Sequence, residues 1–267
     1  MLKDITLGQF FPGDSIVHRL DARFKLVTVF LFMVTLFSMK GPFSISIMAV
    51  FVLLAVILSK ISPKMIARSL RPLVMLILFT VLLNMLFTPG TPIWEFGILK
   101  ITREGIDFSI MMAVRIILLI TGTALLTYTT SPIMLTDAIE SLFSPLKKLK
   151  VPVGEFAMMM SIALRFIPDL LDETSRIMAS QKARGADFES GNILRRIKAF
   201  VPVLVPVFVG AFKRADELAV AMESRCYRDG DGRTRLKVLK SSRGDWLTLL
   251  FCIAVFGVAM TLGLKGM

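Results

Sequence analysis

Histidine occurs once, as His18, and cysteine twice, as Cys226 and Cys252, in 267 residues. A lone histidine rules out an HExxH zinc site and a Ser-His-Asp triad elsewhere in the chain. One cysteine lies near charged residues and the other in an apolar run, so they build no disulfide framework and read as free thiols. No GxxxxGK[ST] is present, and ATP is therefore not hydrolysed on this chain. Asp229-Gly230-Asp231-Gly232 lacks EF-hand spacing, with Lys240 where the glutamate ligand belongs, which leaves no calcium loop. Residues 1–25 are mixed and charged, without the short apolar core of a cleavable leader. Charge is scarce overall: 19% of residues are charged against 55% hydrophobic, too few for the surface of a soluble domain.

What is abundant is apolar sequence, and it is bunched. Leu26–Met39, Gly41–Ser59, Pro72–Trp94, Phe108–Thr136 and Trp246–Leu264 carry one charge or none. The later windows approach the roughly 20 residues that cross a bilayer core of about 30 Å. The first is short, but Arg23 and Lys25 can snorkel at its start. The expected architecture is an all-α integral membrane protein with about five transmembrane helices. Residues 1–130 would hold the first four spans, 131–245 a cytoplasmic helical domain and 246–267 the last span. Lys3, Arg19, Arg23 and Lys25, with Lys60, Lys64, Arg68 and Arg71, lie on one side. Only Lys40, Lys100, Arg103 and Lys265 lie on the other. That bias puts the N-terminus in the cytoplasm of a multi-pass protein in the cell's inner (cytoplasmic) membrane. The net charge of +12 follows from this rule and from anionic lipid. No basic face interleaved with aromatics points to nucleic acid. The basic run Arg228–Arg243 reads as lipid-facing.

Three helices are predicted in the segment after the fourth span. Ser131-Pro132 offers an N-cap and a proline at the first helical position, with the pattern running to about Lys148. Pro152 opens the second, with Phe156, Met160, Ala163, Ile167, Leu170 and Ile177 at helical spacing. Its Arg165/Asp169 and Asp172/Arg176 make i,i+4 pairs, and Gly185 stands where an αL residue would end it. The third starts near Asn192 and carries a seam of Leu194, Ile197, Val201, Leu204, Phe208, Ala211, Ala215, Leu218 and Met222 at steps of three and four. Its charge-free middle, Ala199–Phe212, is too short to span, and Pro202 and Pro206 would bend it. The apolar surface exceeds what the second helix can cover. Either this chain or the headgroup layer buries it, or another membrane protein docks there.

Helix two ends Gln181-Lys182-Ala183-Arg184-Gly185, and helix three ends Ala221-Met222-Glu223-Ser224-Arg225-Cys226. A single cation in a last turn complements the macrodipole. Two similar small–Arg–small endings place guanidinium forks at the tips of two long rods, the arrangement for gripping two similar partners through bidentate carboxylate pairing. With Ala163-Leu164-Arg165-Phe166-Ile167-Pro168 and the lead-in Ser15-Ile16-Val17-His18-Arg19-Leu20-Asp21-Ala22-Arg23-Phe24-Lys25, these motifs resemble the transmembrane T component of energy-coupling factor transporters.

The resemblance implies that the long cytoplasmic helices are coupling helices. It implies two ABC-type ATPase partners and a small substrate-binding membrane subunit that together import vitamins or metal ions. On this chain Ala183, Arg184 and Gly185, with Ser224, Arg225 and Cys226, would bind the ATPases, and Val201, Leu204, Val205, Phe208 and Phe212 would dock the substrate subunit. ATP and magnesium would be bound by the partner ATPases, leaving this chain no cofactor, metal site or catalytic residue. The second motif usually ends in glycine; Cys226 has a Cβ, so a strict αL cap is expected less there than at Gly185.

The alternative is a stand-alone secondary transporter or channel, which calls for ionisable or broken-helix sites at mid-membrane in matching halves. Only Arg115 qualifies, and it reads first as snorkelling or pairing with a polar side chain such as Asn84. Met158-Met159-Met160 fills a core or forms an adaptable surface. Asp169, Asp172 and Glu173 read as a solvated helix face.

Overall fold

The computed structural model describes residues 10–39, 41–96, 99–188, 190, 192–227 and 241–264. In chain order these form α1 (Ile16–Arg19), α2 (Ala22–Ser38), α3 (Pro42–Ser59), α4 (Pro63–Leu70), α5 (Val74–Phe87), β1 (Pro92–Phe96) and β2 (Leu99–Thr102). The chain continues with α6 (Arg103–Thr129), α7 (Pro132–Phe143), α8 (Val153–Ala183), α9 (Ile193–Ser224) and α10 (Arg243–Leu264). Prolines open α3, α4 and α7 at the position where a missing N–H costs nothing. Ser131 Oγ accepts from Met134 N at 3.3 Å as expected of its cap, and α7 gives way at Phe143 to a 3-10 turn, Ser144–Leu149, containing Pro145.

Among the described residues the protein is all-α apart from one antiparallel hairpin of β1 and β2. Pro89 ends the helix before it, and the aromatic and β-branched residues that follow favour extended backbone. The ends of this link are tied: Thr91 N donates to Glu104 Oε2 at 2.7 Å. Thr102 Oγ1 caps α6 through Gly105 N at 3.1 Å and donates to the Thr88 carbonyl at 2.8 Å.

Among the described residues, four stretches, Pro42–Ser59, Pro63–Phe87, Arg103–Thr129 and Arg243–Gly263, are long and apolar enough to cross a membrane. The fifth expected span, α2, has 17 residues, or about 26 Å at 1.5 Å per residue. Its first turn already carries Arg23 and Lys25, which keeps its apolar run short.

Contacts divide the chain into two compact units at Ala138/Ile139 and Val238/Leu239. One unit holds α1 to α6 and α10 around an apolar core of Phe32, Leu36, Met39, Ile45, Met48, Val52, Leu118, Cys252, Phe256 and Ala259. The rings of Phe51 and Phe256 meet edge-on at 5.0 Å, a favoured aromatic geometry. Gly122 lets α6 approach α2 closely: a Cβ there would lie 2.5 Å from Phe32 Cε1.

Polar side chains in this unit join helix ends. Lys25 is 7% exposed, and its ammonium donates to the carbonyls of Thr129 (3.0 Å) and His18 (3.2 Å) and to Thr130 Oγ1 (3.4 Å). This spends all three of its donors. Asp21 caps α2 through Arg23 N at 2.9 Å and pairs the Arg23 guanidinium at 2.7 Å. Asp245 accepts from Asp21 N at 3.1 Å and from Ser242 N at 2.7 Å, fixing the start of α10 beside the start of α2.

The other unit is built on α8 and α9, each more than thirty residues long and packed on the other. Pro168, Pro202 and Pro206 all lie inside helix, and neither rod is broken at them. Phe188, buried after the end of α8, packs on Phe200 with ring centres 5.1 Å apart and planes tilted by 46°, and its carbonyl accepts from Arg196 Nε at 3.3 Å.

Candidate functional site

The ends of α8 and α9 are the same structure. In α8, Gly185 N donates to the Lys182 carbonyl at 3.0 Å and Ala186 N to the Gln181 carbonyl at 2.9 Å, with Gly185 at φ +87°. In α9, Cys226 N donates to the Glu223 carbonyl at 2.9 Å and Tyr227 N to the Met222 carbonyl at 3.0 Å, with Cys226 at φ +54°. Both are Schellman turns, in which crossed 6→1 and 5→2 bonds satisfy the last carbonyls of a helix. Arg184 and Arg225 occupy the identical C-cap position. The expectation that a Cβ would disfavour a left-handed cap at Cys226 is therefore corrected. The two turn hydrogen bonds hold the residue there, at a left-handed cost of about 1–2 kcal/mol for a side chain.

Both arginines are exposed, as are Ala183, Gly185, Ser224 and Cys226. Neither guanidinium has a hydrogen-bond or ion-pair partner among the described residues. Space beside Gly185 is open, with nothing within 4 Å of a Cβ placed there.

The expected docking residues Val201, Leu204, Val205, Phe208 and Phe212 are all exposed, Phe208 by 61% and Phe212 by 71%. The seam from Leu194 to Phe208 is not the packed face. Val203 is buried, and Val207, Gly210, Arg214 and Leu218 are half-buried, so the inward stripe is displaced by one helical position. On α8 the inward residues are likewise Val153 and Ala157, while Phe156, Met159 and Met160 face outward. Much of the methionine run is thus surface and not core.

Neither Arg165/Asp169 nor Asp172/Arg176 forms an ion pair. Asp169, Asp172, Glu173 and Arg176 line a polar cleft with Arg214, and Glu173 pairs with Arg214 across the two helices. Reading Glu173 as solvated missed this pairing. The signal available was an offset, since Glu173 and Arg214 each stand eleven residues before a motif arginine.

Arg115 joins α6 to the end of α2. Its Nη2 donates at 2.6 Å to the carbonyl of Met39, the residue that ends α2, while Asn84 bonds to its own helix at Thr80. The loop at 229–232 and most of the basic run from Arg228 lie outside the described residues.

The family model described as CbiQ, cobalt transport protein, matches residues 13–236. The energy-coupling factor transporter transmembrane protein EcfT of Ruminiclostridium cellulolyticum is 50% identical over 247 residues, 92% of each chain. The protein of that name in Acidaminococcus fermentans is 50% identical over 256 residues, 96% of each chain. The Bacillus subtilis one is 47% identical over 240 residues, 90% of this chain and 91% of its own.

Proposed function

The chain belongs to the CbiQ family of transport proteins, and from that premise we propose that it is the membrane scaffold of an ATP-driven importer for a vitamin or metal ion. In this reading two ABC-type ATPase subunits, which bind ATP and magnesium, hold Arg184 and Arg225 in carboxylate-bearing grooves. A small substrate-binding membrane subunit rests on Val201, Leu204, Val205, Phe208 and Phe212. Closure of the ATPases moves the two tips, α8 and α9 carry the motion, and the docked subunit tilts to release its cargo inside. The chain itself hydrolyses nothing. Five spans, with α2 crossing by snorkelling of Arg23 and Lys25, put the N-terminus and the α8–α9 unit in the cytoplasm. The importer sits in the cell's cytoplasmic membrane.

The observation that carries this is the repetition of one Schellman turn, with an exposed arginine that has no partner among the described residues at the same position, on two rods packed against each other. A lone helix-end cation answers to the macrodipole; a duplicated one answers to duplicated partners.

Arg184→Ala and Arg225→Ala, singly and together, test it by co-purification from native membranes. An arginine removed from a buried carboxylate pair costs about 2–5 kcal/mol, much of it for the stranded partner charge. Each single variant is expected to lose ATPase, and the double variant all of it. Retention of both ATPases by the double variant overturns the reading, as does solute movement by the chain reconstituted alone.

A further inference from the structure

We propose that the Glu173–Arg214 ion pair, seated against Gly210, is the fixed point about which α8 and α9 transmit movement to their two arginine tips with equal reach. The proposal rests on the grip of Arg184 and Arg225 described above and adds where the rods are pinned.

Three observations meet at this point. The pair joins the two helices directly, through Arg214 Nη2 and Glu173 Oε2. Gly210, one turn before Arg214, makes room for it: a Cβ there would lie 2.9 Å from Glu173 Oε1. The pair is also placed symmetrically, eleven residues before Arg184 on one rod and eleven before Arg225 on the other. Eleven residues make an arm of about 16 Å, and three full turns plus about 20°, so each pinning residue shares a helix face with its own tip.

The surroundings favour a pin over an ordinary surface contact. The side chains are 27% and 34% exposed, and screening is weaker there than between fully solvated charges. Arg214 Nη1 is buried with no acceptor among the described residues. If Glu173 were lost, the guanidinium would lose its ion pair across the two helices, leaving only the carboxylates of Asp169 and Asp172 in the cleft. Beyond this cleft the inward residues of α9 are Val203, Val207 and Leu218, apolar side chains that resist sliding poorly. A charged contact of opposite signs fixes one register. Equal arms then suit two ATPases of one type, because the same angular change gives the same displacement at either tip.

The test uses the complex assembled with its ATPases in membranes. Spin labels carried on p-acetylphenylalanine at positions 179 and 220, the exposed Ala179 and Val220, report the distance between the arms without touching either cysteine. Distances are compared with and without MgATP. Glu173→Ala and Arg214→Ala are expected to keep both ATPases bound. They should reduce the nucleotide-driven shift between the two arm distances by about 2- to 30-fold in the equilibrium constant. The reversed pair Glu173→Arg with Arg214→Glu should restore the shift, and Gly210→Ala should weaken it with the charges intact. A normal shift in Glu173→Ala overturns the pin, as does an assembled reversed pair that shifts no better than the single variants. Should both alanine variants fail to assemble, the reversed pair decides alone. Failure of the grip reads separately, as ATPases retained by the double tip variant.

Discussion

Leu36, in the last turn of α2, and Phe208, midway along α9, are both large apolar residues, and they meet opposite fates. Leu36 is wholly covered, against Phe32, Met48 and the side of α10, whereas Phe208 is 61% exposed. Exposure by itself separates nothing in a membrane protein, since Phe30 and Phe37 on α2 are as open as Phe208 and lipid covers such faces. What distinguishes α9 is that its apolar stretch is too short to cross and is flanked by Lys198, Lys213, Arg214, Asp216 and Glu217. The bundle around Leu36 completes its own core. The α8–α9 unit leaves apolar side chains such as Val205, Phe208 and Phe212 exposed, which is the surface the proposed docking of a substrate-binding subunit would use.

Substitution on both sides of the comparison gives the largest effect. Leu36→Ala should destabilise the protein in detergent by about 2–5 kcal/mol, as cavity-forming core truncations do. Phe208→Ala should stay within about 0.5 kcal/mol in thermal unfolding while weakening retention of a substrate-binding subunit. Equal losses of stability from the two variants would mean that Phe208 is core, and the contrast would fail.

The two rod ends sharpen the contrast on a smaller scale. Gly185→Ala brings in a left-handed side chain and should weaken its turn by about 1 kcal/mol, whereas Cys226→Gly should strengthen its own by up to about 1 kcal/mol. Amide hydrogen exchange in the last turn of each helix reads these opposite signs locally. Equal protection in all variants would show that the crossed turn bonds do not control fraying.

The smallest effect lies where α2 begins. Burial pushes the Asp21 carboxyl up, but hydrogen bonds and charge from Arg23, with charge from Lys25, outweigh it and hold the group below its ordinary 3.8. A carboxyl depressed on folding contributes stability above its unfolded value, and that contribution is lost as the pH falls through the folded value. Unfolding temperature should therefore drop in acid below about pH 4, and Asp21→Asn should flatten that part of the slope. An unchanged slope in Asp21→Asn would show that other carboxylates set the acid limit.

Much of the architecture was legible in the primary structure because the bilayer imposes a length and a composition. The windows around α3, α5, α6 and α10 announce themselves by lacking charge, and α7 and α8 by the prolines at their starts. The hairpin was not legible, since nine residues alternating loosely between two spans resemble any loop. Gly185 marked its helix end, while Cys226 hid an identical one. Propensity scores a left-handed cysteine as unfavourable, and only the backbone bonds at Glu223 and Met222 show it held. The inward face of α9 could not be chosen from its sequence because apolar residues surround that helix, so a three-four seam can be drawn on either side. Glu173 had two plausible fates, water or a distant arginine, and local spacing cannot choose between them.

The knot at Lys25 bears on how the protein is made. The carbonyl of Thr129 that it binds comes 104 residues later, a wait of about 5–20 s at translation rates of about 5–20 residues per second. The contact made by Asp245 is later still, 224 residues after Asp21. Until then the ammonium belongs among lipid headgroups, and the first helix stays loosely seated. Closure of this junction is thus a late event of biogenesis, marking the moment at which the nascent bundle has received its final strut.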